Sequence, residues 1–391
     1  MTPVKTVPLG DVATVERSSV HPVDIRPGTM YLGLEDIASG GAILSPRPVD
    51  PGDLASTKFS FTESHVLYGK LRPYLAKIAA PDFAGICSTD IVPVLPGPLV
   101  DRRYLLNFLR QPTMVALASA RSVGINLPRL SPSVLETFPV PLPPLPDQRR
   151  IAAVLDKADE LRAKRQSALN GLDLLARSIF LELFGDPVTN PHGWQENTVL
   201  DDVADIMSGI TKGRRLGGAA TREVPYLAVV NVQDRRLALN TVKTIEATEA
   251  EIRRYQLKLG DLLLTEGGDP DKLGRGSLWN EQISECIHQN HIFRVRLTHE
   301  RITPLFLNWL IGSERGKRYF LKSAKQTTGI ASINLRQLRA FPILTPPLTL
   351  QQRFATAIEC VSAVKAEVQD ALAALDGLFV SLQHRAFGGE L

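Results

Sequence analysis

The chain repeats itself, and the repeat limits its fold more than any single motif. Phe138-Pro139-Val140-Pro141-Leu142-Pro143-Pro144-Leu145 returns 203 residues later as Phe341-Pro342-Ile343-Leu344-Thr345-Pro346-Pro347-Leu348. At the same offset Gln148 meets Gln351, Arg150 meets Arg353, Leu172-Asp173 meets Leu375-Asp376, and Phe184-Gly185 meets Phe387-Gly388. Two copies of one unit must bury their apolar faces in the same way, so the architecture is doubled before any element is assigned. The front halves correspond more loosely. Leu9-Gly10-Asp11-Val12-Ala13 resembles Leu200-Asp201-Asp202-Val203-Ala204, and Tyr31-Leu32 resembles Tyr226-Leu227. Cys87 and Cys286 each open a polar, strand-like run. The offset drifts from 191 to 203, so the front parts carry insertions and the back parts do not.

Each back part is predicted to be a long helix. From 148 to 184 there is no Pro and a single Gly, Gly171. Asp147 is the expected N-cap, and Gly185-Asp186-Pro187 ends the run. Apolar residues at Ile151, Val154, Leu155, Ala158, Leu161, Leu169, Leu172, Leu175, Ile179 and Leu183 follow helical spacing. The second copy starts near Thr349 and sets Phe354, Val361, Val368, Leu375 and Leu382 at a strict seven-residue interval, with Ile358, Leu372 and Phe379 four residues on. A sustained heptad seam is a coiled-coil signature. Helices of ~38 residues are roughly 57 Å long and need a partner, and the other copy is the obvious one. The expectation is an antiparallel pair with Ile151, Leu155, Leu172, Ile179, Phe354, Ile358, Val361, Val368, Leu375 and Leu382 in the seam. The competing expectation is that each helix only covers its own domain.

The predicted fold class is α+β: two mixed strand and helix domains joined by the two helices. The expected divisions are 1–146, a spacer helix at 147–186, a second domain at 187–349 and a distal helix at 350–391. Strand character falls at 29–34, 65–68, 85–95, 225–232, 260–265 and 286–297, and short helices at 100–109 and 304–310. A hydrophobic share of 44% and a charged share of 22% describe a globular chain and exclude a disordered one. No apolar run reaches about 18 residues, and the N-terminal stretch lacks the core of a signal peptide. Three scattered cysteines form neither a disulfide framework nor a metal knuckle. A cytoplasmic location, with no membrane contact, is expected.

Catalytic signatures are missing. There is no phosphate-binding G-x-x-x-x-G-K-[ST], no dinucleotide fingerprint, no G-x-S-x-G and no H-E-x-x-H. Neither the N-P-P-Y nor the D-P-P-Y motif of amino-methylating enzymes is present, nor a nuclease-like acidic pair with E-x-K. His288 and His291 lie three apart in an extended run, so they alternate faces and do not converge on a metal. Between them, Gln289 and Asn290 carry the side chains that pair bidentately with adenine, although they also suit a sheet edge.

The net charge of +4 permits a nucleic-acid partner without demanding one. The cations, however, are clustered. Residues 209–258 hold ten Lys and Arg against five Asp and Glu, with Lys212, Arg214 and Arg215 in a Gly-rich stretch. In the first copy the charge lies at Lys70, Arg72 and Lys77, interleaved with Tyr74. The matching stretch of the second copy carries Lys272 and Arg275. A third pair precedes the Pro-rich loops: Arg121 with Ser122 and Gly124, and Lys325 with Thr327, Thr328 and Gly329. Any one basic run suits a solvated surface. Runs recurring at equivalent places of a repeat suit binding to phosphates and bases.

The Pro-rich loop running into Asp147-Gln148-Arg149-Arg150-Ile151, the long helix, Leu183-Phe184-Gly185-Asp186-Pro187, and the ending Phe387-Gly388-Gly389-Glu390-Leu391 together resemble the DNA specificity subunits of type I restriction–modification systems. Gly260-Asp261-Leu262-Leu263-Leu264 is similar to a run in their recognition domains. The resemblance spans essentially the whole chain. It implies two target-recognition domains on double-stranded DNA, one per half of a split asymmetric target. It implies that the helix pair sets their spacing and docks two methylating subunits, which restriction and translocase subunits join. It also implies a non-catalytic chain, with S-adenosylmethionine, ATP and magnesium on the partners. One departure is Gly377 in the second helix where the first has Leu174. A protein-interaction scaffold is the alternative from another class, and binding to random duplex DNA separates the two.

Overall fold

The computed structural model describes residues 5–268, 273–327 and 330–389. The chain divides into two compact units. The first holds the residues up to Ser167 together with those from Val368 onward, and the second is Ala168–Glu367. Both divisions fall inside the long helices, which run from Leu145 to Phe184 and from Leu348 to Phe387, 40 residues each. Each unit therefore contains one front part, half of one helix and half of the other.

The two front parts share a framework. In the first unit a four-stranded antiparallel sheet orders Ala13–Val15, Ile91–Pro96, Val66–Gly69 and Ile78–Ala79. In the second the order is Ala204–Ser208, Ile292–Leu297, Leu262–Thr265 and Gly276–Leu278. A second sheet carries a parallel pair in each. Tyr31 and Leu32 lie opposite Ile86 and Cys87, and Tyr226 and Leu227 lie opposite Ile287 and His288. This register makes His288, and not Cys286, the counterpart of Cys87. The expected strands at 85–95 and 286–297 are each broken in the middle. Gly85–Cys87 turns through 88–90 into Ile91–Pro96, and Ile287–His288 turns through 289–291 into Ile292–Leu297.

A buried glutamine ties each helix to its front part. Gln148 accepts from the Asp101 N–H at 2.7 Å and donates to the Leu99 and Pro143 carbonyls at 3.0 and 2.8 Å. Gln351 accepts from the Thr303 N–H at 2.8 Å and donates to the Arg301 and Pro346 carbonyls at 2.9 Å each. Both are fully buried, so each amide satisfies backbone groups that water cannot reach. Asp101 and Thr303 also cap the helices Arg102–Leu109 and Pro304–Ile311. The long helices begin a few residues earlier than expected. Pro146 sits in the first turn, where proline's missing N–H costs nothing, and Asp147 lies inside the helix rather than capping it.

The helices pack antiparallel, and within each unit one ion pair joins them. Arg162 Nε donates to Asp376 at 2.6 Å in the first unit, and Lys365 Nζ to Asp173 at 2.5 Å in the second. The offset of 203 that relates the Pro-rich loops also relates Arg162 to Lys365 and Asp173 to Asp376. At its ends the expected seam runs on into the cores of the front parts. Ile151 and Leu155 are buried in the core of the first unit, beside Leu9, Tyr104, Phe108 and Phe138. Phe354 and Ile358 are buried in the core of the second, where Phe354 lies 5.5 Å from both Phe180 and Phe184. Val361 and Ile179 border that second core, and Leu382 borders the first. Leu172, Val368 and Leu375 are half-buried, as residues between two helices should be. Coverage of a domain and pairing of helices, posed as alternatives from sequence, occur together on the same helix: Phe354 meets both Trp309 of the front part and Phe180 of the other helix.

Candidate nucleic-acid interface

In the first unit three segments meet where Val66–Gly69 ends. The Lys70 N–H donates to the Asp90 carbonyl at 2.9 Å, and the Lys70 carbonyl accepts from the Leu130 N–H at 2.9 Å. Two residues on, the Arg72 N–H donates to the Pro128 carbonyl at 2.7 Å. Segments 70–77, 88–90 and 121–130 are thus stapled together by backbone bonds. Arg72 holds φ at 51° and Ala76 at 47°, a left-handed conformation that costs non-glycine residues about 1–3 kcal/mol and persists where surrounding bonds impose it. Arg72 and Arg121 are exposed, Tyr74 is 54% exposed, and Lys70 is half-buried. Arg121 donates to the Thr137 hydroxyl at 3.1 Å. Lys77 turns inward, with Nζ donating to the Leu34 carbonyl at 2.6 Å. Sequence reasoning missed Arg129, which pairs with Asp90 through bonds of 3.1 and 3.4 Å across two of the segments. No local pattern marks that pair, because its members are 39 residues apart.

The second unit builds the same junction with other chemistry. The Glu266 N–H donates to the His291 carbonyl at 3.0 Å, and the Glu266 carbonyl accepts from the Ile333 N–H at 2.9 Å. Glu266 therefore stands where Lys70 stands in the first unit, and His291 where Asp90 stands. Their side chains meet at 2.5 Å. Gln289 and Asn290 occupy the turn between the strands. The Gln289 N–H bonds Leu227 and the Asn290 N–H bonds Ile210, at 3.0 Å each. This draws the 209–215 loop against the turn. Gly209 is required there, since a Cβ would fall 1.9 Å from the His288 carbonyl. Lys212 and Arg215 are exposed on that loop.

Several expected contacts are turned into the fold. Arg214 donates to both carboxylate oxygens of Glu251 at 2.5 and 2.7 Å and to the Glu246 carbonyl at 2.8 Å. The Arg214 hydrogen bonds hold the Glu251 carboxyl at about 2, so this pair is charged and structural, and Arg214 is not a free phosphate contact. Arg275 is half-buried and donates to Gln233 at 3.1 Å. Lys272 lies outside the described residues, as does the side chain of Lys325, whose backbone pairs with Ser332. His288 is fully buried beside the Tyr255 carbonyl at 3.1 Å, and burial pushes it down to about 4, so it is neutral. Among the described residues no group of three His, Cys, Asp or Glu could hold a metal, and no helix is long and apolar enough to cross a membrane.

Residues 56–170 match the family model described as the type I restriction modification DNA specificity domain. That match covers the junction at 70–77, 88–90 and 121–130 and the first half of the long helix. Over that stretch the chain is similar to type I specificity subunits. It is 23% identical over 312 residues to the StySPI specificity subunit of Salmonella potsdam, covering 76% of this chain and 67% of that one. The EcoKI specificity subunit of Escherichia coli K12 is 22% identical over 314 residues, with the same shares covered. Two solved structures share the fold. One, from work on assembly and conformational transition of the type I system, covers 99% of this chain and 98% of its own, with a TM-score of 0.59 at 21% identity. The other, the S subunit of a type I system from M. genitalium, covers 98% of this chain and 96% of its own, with a TM-score of 0.56 at 14% identity.

Proposed function

We propose that this specificity subunit reads DNA with two faces, one per unit, each reading one half of a split, asymmetric target, and performs no catalysis itself. The observation that carries the reading is the repeated junction: one backbone frame, held by the same hydrogen bonds, presents different side chains in each unit. Lys70, Arg72, Tyr74 and Arg121 serve the first face. Gln289, Asn290, Lys212 and Arg215 serve the second. Phosphate contacts by the cations set position, and the polar turn reads base edges. The paired helices fix the spacing between half-sites, because a duplex presents its grooves at a set distance and phase.

The helices also carry unburied apolar residues at matching places. Leu161 and Val364 are 39% and 47% exposed, and Leu175 and Leu378 are 47% and 51% exposed. Each pair is related by the offset of 203. This supports docking of two methylating subunits on equivalent surfaces, joined by restriction and translocase subunits. S-adenosylmethionine, ATP and magnesium would belong to those partners, and the assembly would work on DNA in the cytoplasm.

The test is salt dependence. Lys70→Ala with Arg72→Ala should weaken duplex binding and reduce the slope of log K against log salt by about 2, since each phosphate contact contributes ~0.9. Lys212→Ala with Arg215→Ala should do the same through the second unit, weakening binding about equally across sequences. Unchanged slopes in both variants would remove these faces from the footprint.

A further inference from the structure

The hairpin at 121–130 carries a feature that base reading by polar groups does not use. Its backbone is fixed. The Val123 N–H donates to the Arg129 carbonyl at 3.0 Å, and the Arg129 N–H returns a bond to Val123 at 2.9 Å. Gly124 turns the chain at φ 116°. The staple from Arg72 to Pro128 holds its far side. Yet its tip points apolar side chains into water. Val123 is 81% exposed, Ile125 99% and Leu127 46%. A rigid loop that keeps three apolar side chains together in solvent has not failed to bury them; it holds them ready.

The surroundings say what for. Residues 70–77 and 121–130 contain five cations and no acid. Of these, Lys70, Arg72 and Arg121 are unpaired with any carboxylate among the described residues, while Arg129 holds Asp90. Tyr74, 54% exposed, adds a flat face. An apolar point ringed by positive charge complements a polymer with anionic edges and an apolar stacked interior.

Resting on the DNA-reading role, we propose that this hairpin is a wedge. Ile125, backed by Val123 and Leu127, inserts between two base pairs from the minor groove, while Lys70, Arg72 and Arg121 hold the flanking phosphates. Apolar side chains on rigid loops unstack and kink duplexes in this way, most easily at pyrimidine–purine steps. The first unit then selects sequence partly by how readily one step opens, without a hydrogen bond to it.

The experiment uses the full chain and a pool of random-sequence duplexes. Retained duplexes are sequenced and treated with permanganate, which oxidises thymines that have lost their stacking. The wild-type chain should retain a common sequence with one reactive step. Ile125→Ala should abolish the reactivity and lower affinity roughly tenfold or more, as expected for an isoleucine that loses its burial. Ile125→Phe should restore both. Retained duplexes with no reactive step would overturn the wedge and leave the DNA-reading role intact. Failure to retain any duplex would overturn that role, and the wedge with it. If Ile125→Ala leaves the reactive step unchanged and instead blocks assembly with the methylating subunits, the tip is a protein contact and the wedge is refuted.

Discussion

The two units keep the same skeleton and exchange its ornaments. Strand order, the parallel pair and the buried glutamine recur bond for bond. Cys87, Lys70 and Asp90 become His288, Glu266 and His291. The groups that recur satisfy buried backbone, where an unpaired donor or acceptor is costly wherever it occurs. Cys87 and His288 lie buried on strands, whereas the other groups that change sit at turns, whose backbone bonds are independent of the side chain they carry. Recognition chemistry has been free to diverge because none of the framework depends on it.

The sharpest test of that contrast is the glutamine. Gln148→Leu and Gln351→Leu each leave one N–H and two carbonyls unpaired, for a loss of about 3 kcal/mol in the unit concerned. Hydrogen exchange resolved by unit should give nearly equal losses. A large inequality would mean the shared skeleton is shared in outline only.

The next test should divide the units. An unfolded imidazole titrates near 6.5, whereas burial holds His288 at about 4. As pH falls through this window the unfolded chain takes up the proton first. Stability is fully present above about 6.5 and is lost toward 4, by about 2 kcal/mol between pH 7 and 5. The counterpart Cys87 is pushed by burial to about 12 and stays neutral throughout. Mild acid should therefore loosen exchange protection around Ile287–His288 and spare Gly85–Cys87. His288→Cys should erase the difference, and persistence of the acid effect in that variant would assign it to another group.

The smallest effect concerns the ion pairs between the helices. Both are partly exposed, so Arg162→Ala or Lys365→Ala should cost under about 1 kcal/mol. Arg162 should cost more, because its guanidinium also lies 4.6 Å from the centre of the Phe379 ring. Double-mutant cycles with Asp376 and Asp173 measure the ion pairs, and a cycle of Arg162 with Phe379 measures the stacking; no coupling in the latter would show that the stacking contributes nothing.

Much of this was legible in the residues. The offset of 203 located the helices and matched Gln148 with Gln351, but nothing in the residues said what those amides would bond. Other features were hidden, each for a physical reason. Arg214 looked like a free cation because Glu251, its partner, is 37 residues away on another element. Periodicity continued across 88–90 and 289–291, so the turns there were invisible until the parallel strands fixed the register. The seam at Ile151 and Phe354 also enters the cores of the front parts, and Phe354 still meets Phe180 and Phe184 of the other helix, since an apolar residue carries no mark of how many surfaces cover it.

The crossing of the units through the middle of both helices has a consequence for how the chain is made. Translation delivers everything the second unit needs by Glu367, whereas the first lacks its last piece until Val368 and the residues beyond it emerge. Until then Tyr104 and Phe108 have no Phe387 against them, although they were synthesised long before. On the ribosome, the half of the molecule that is born first is the half that must wait.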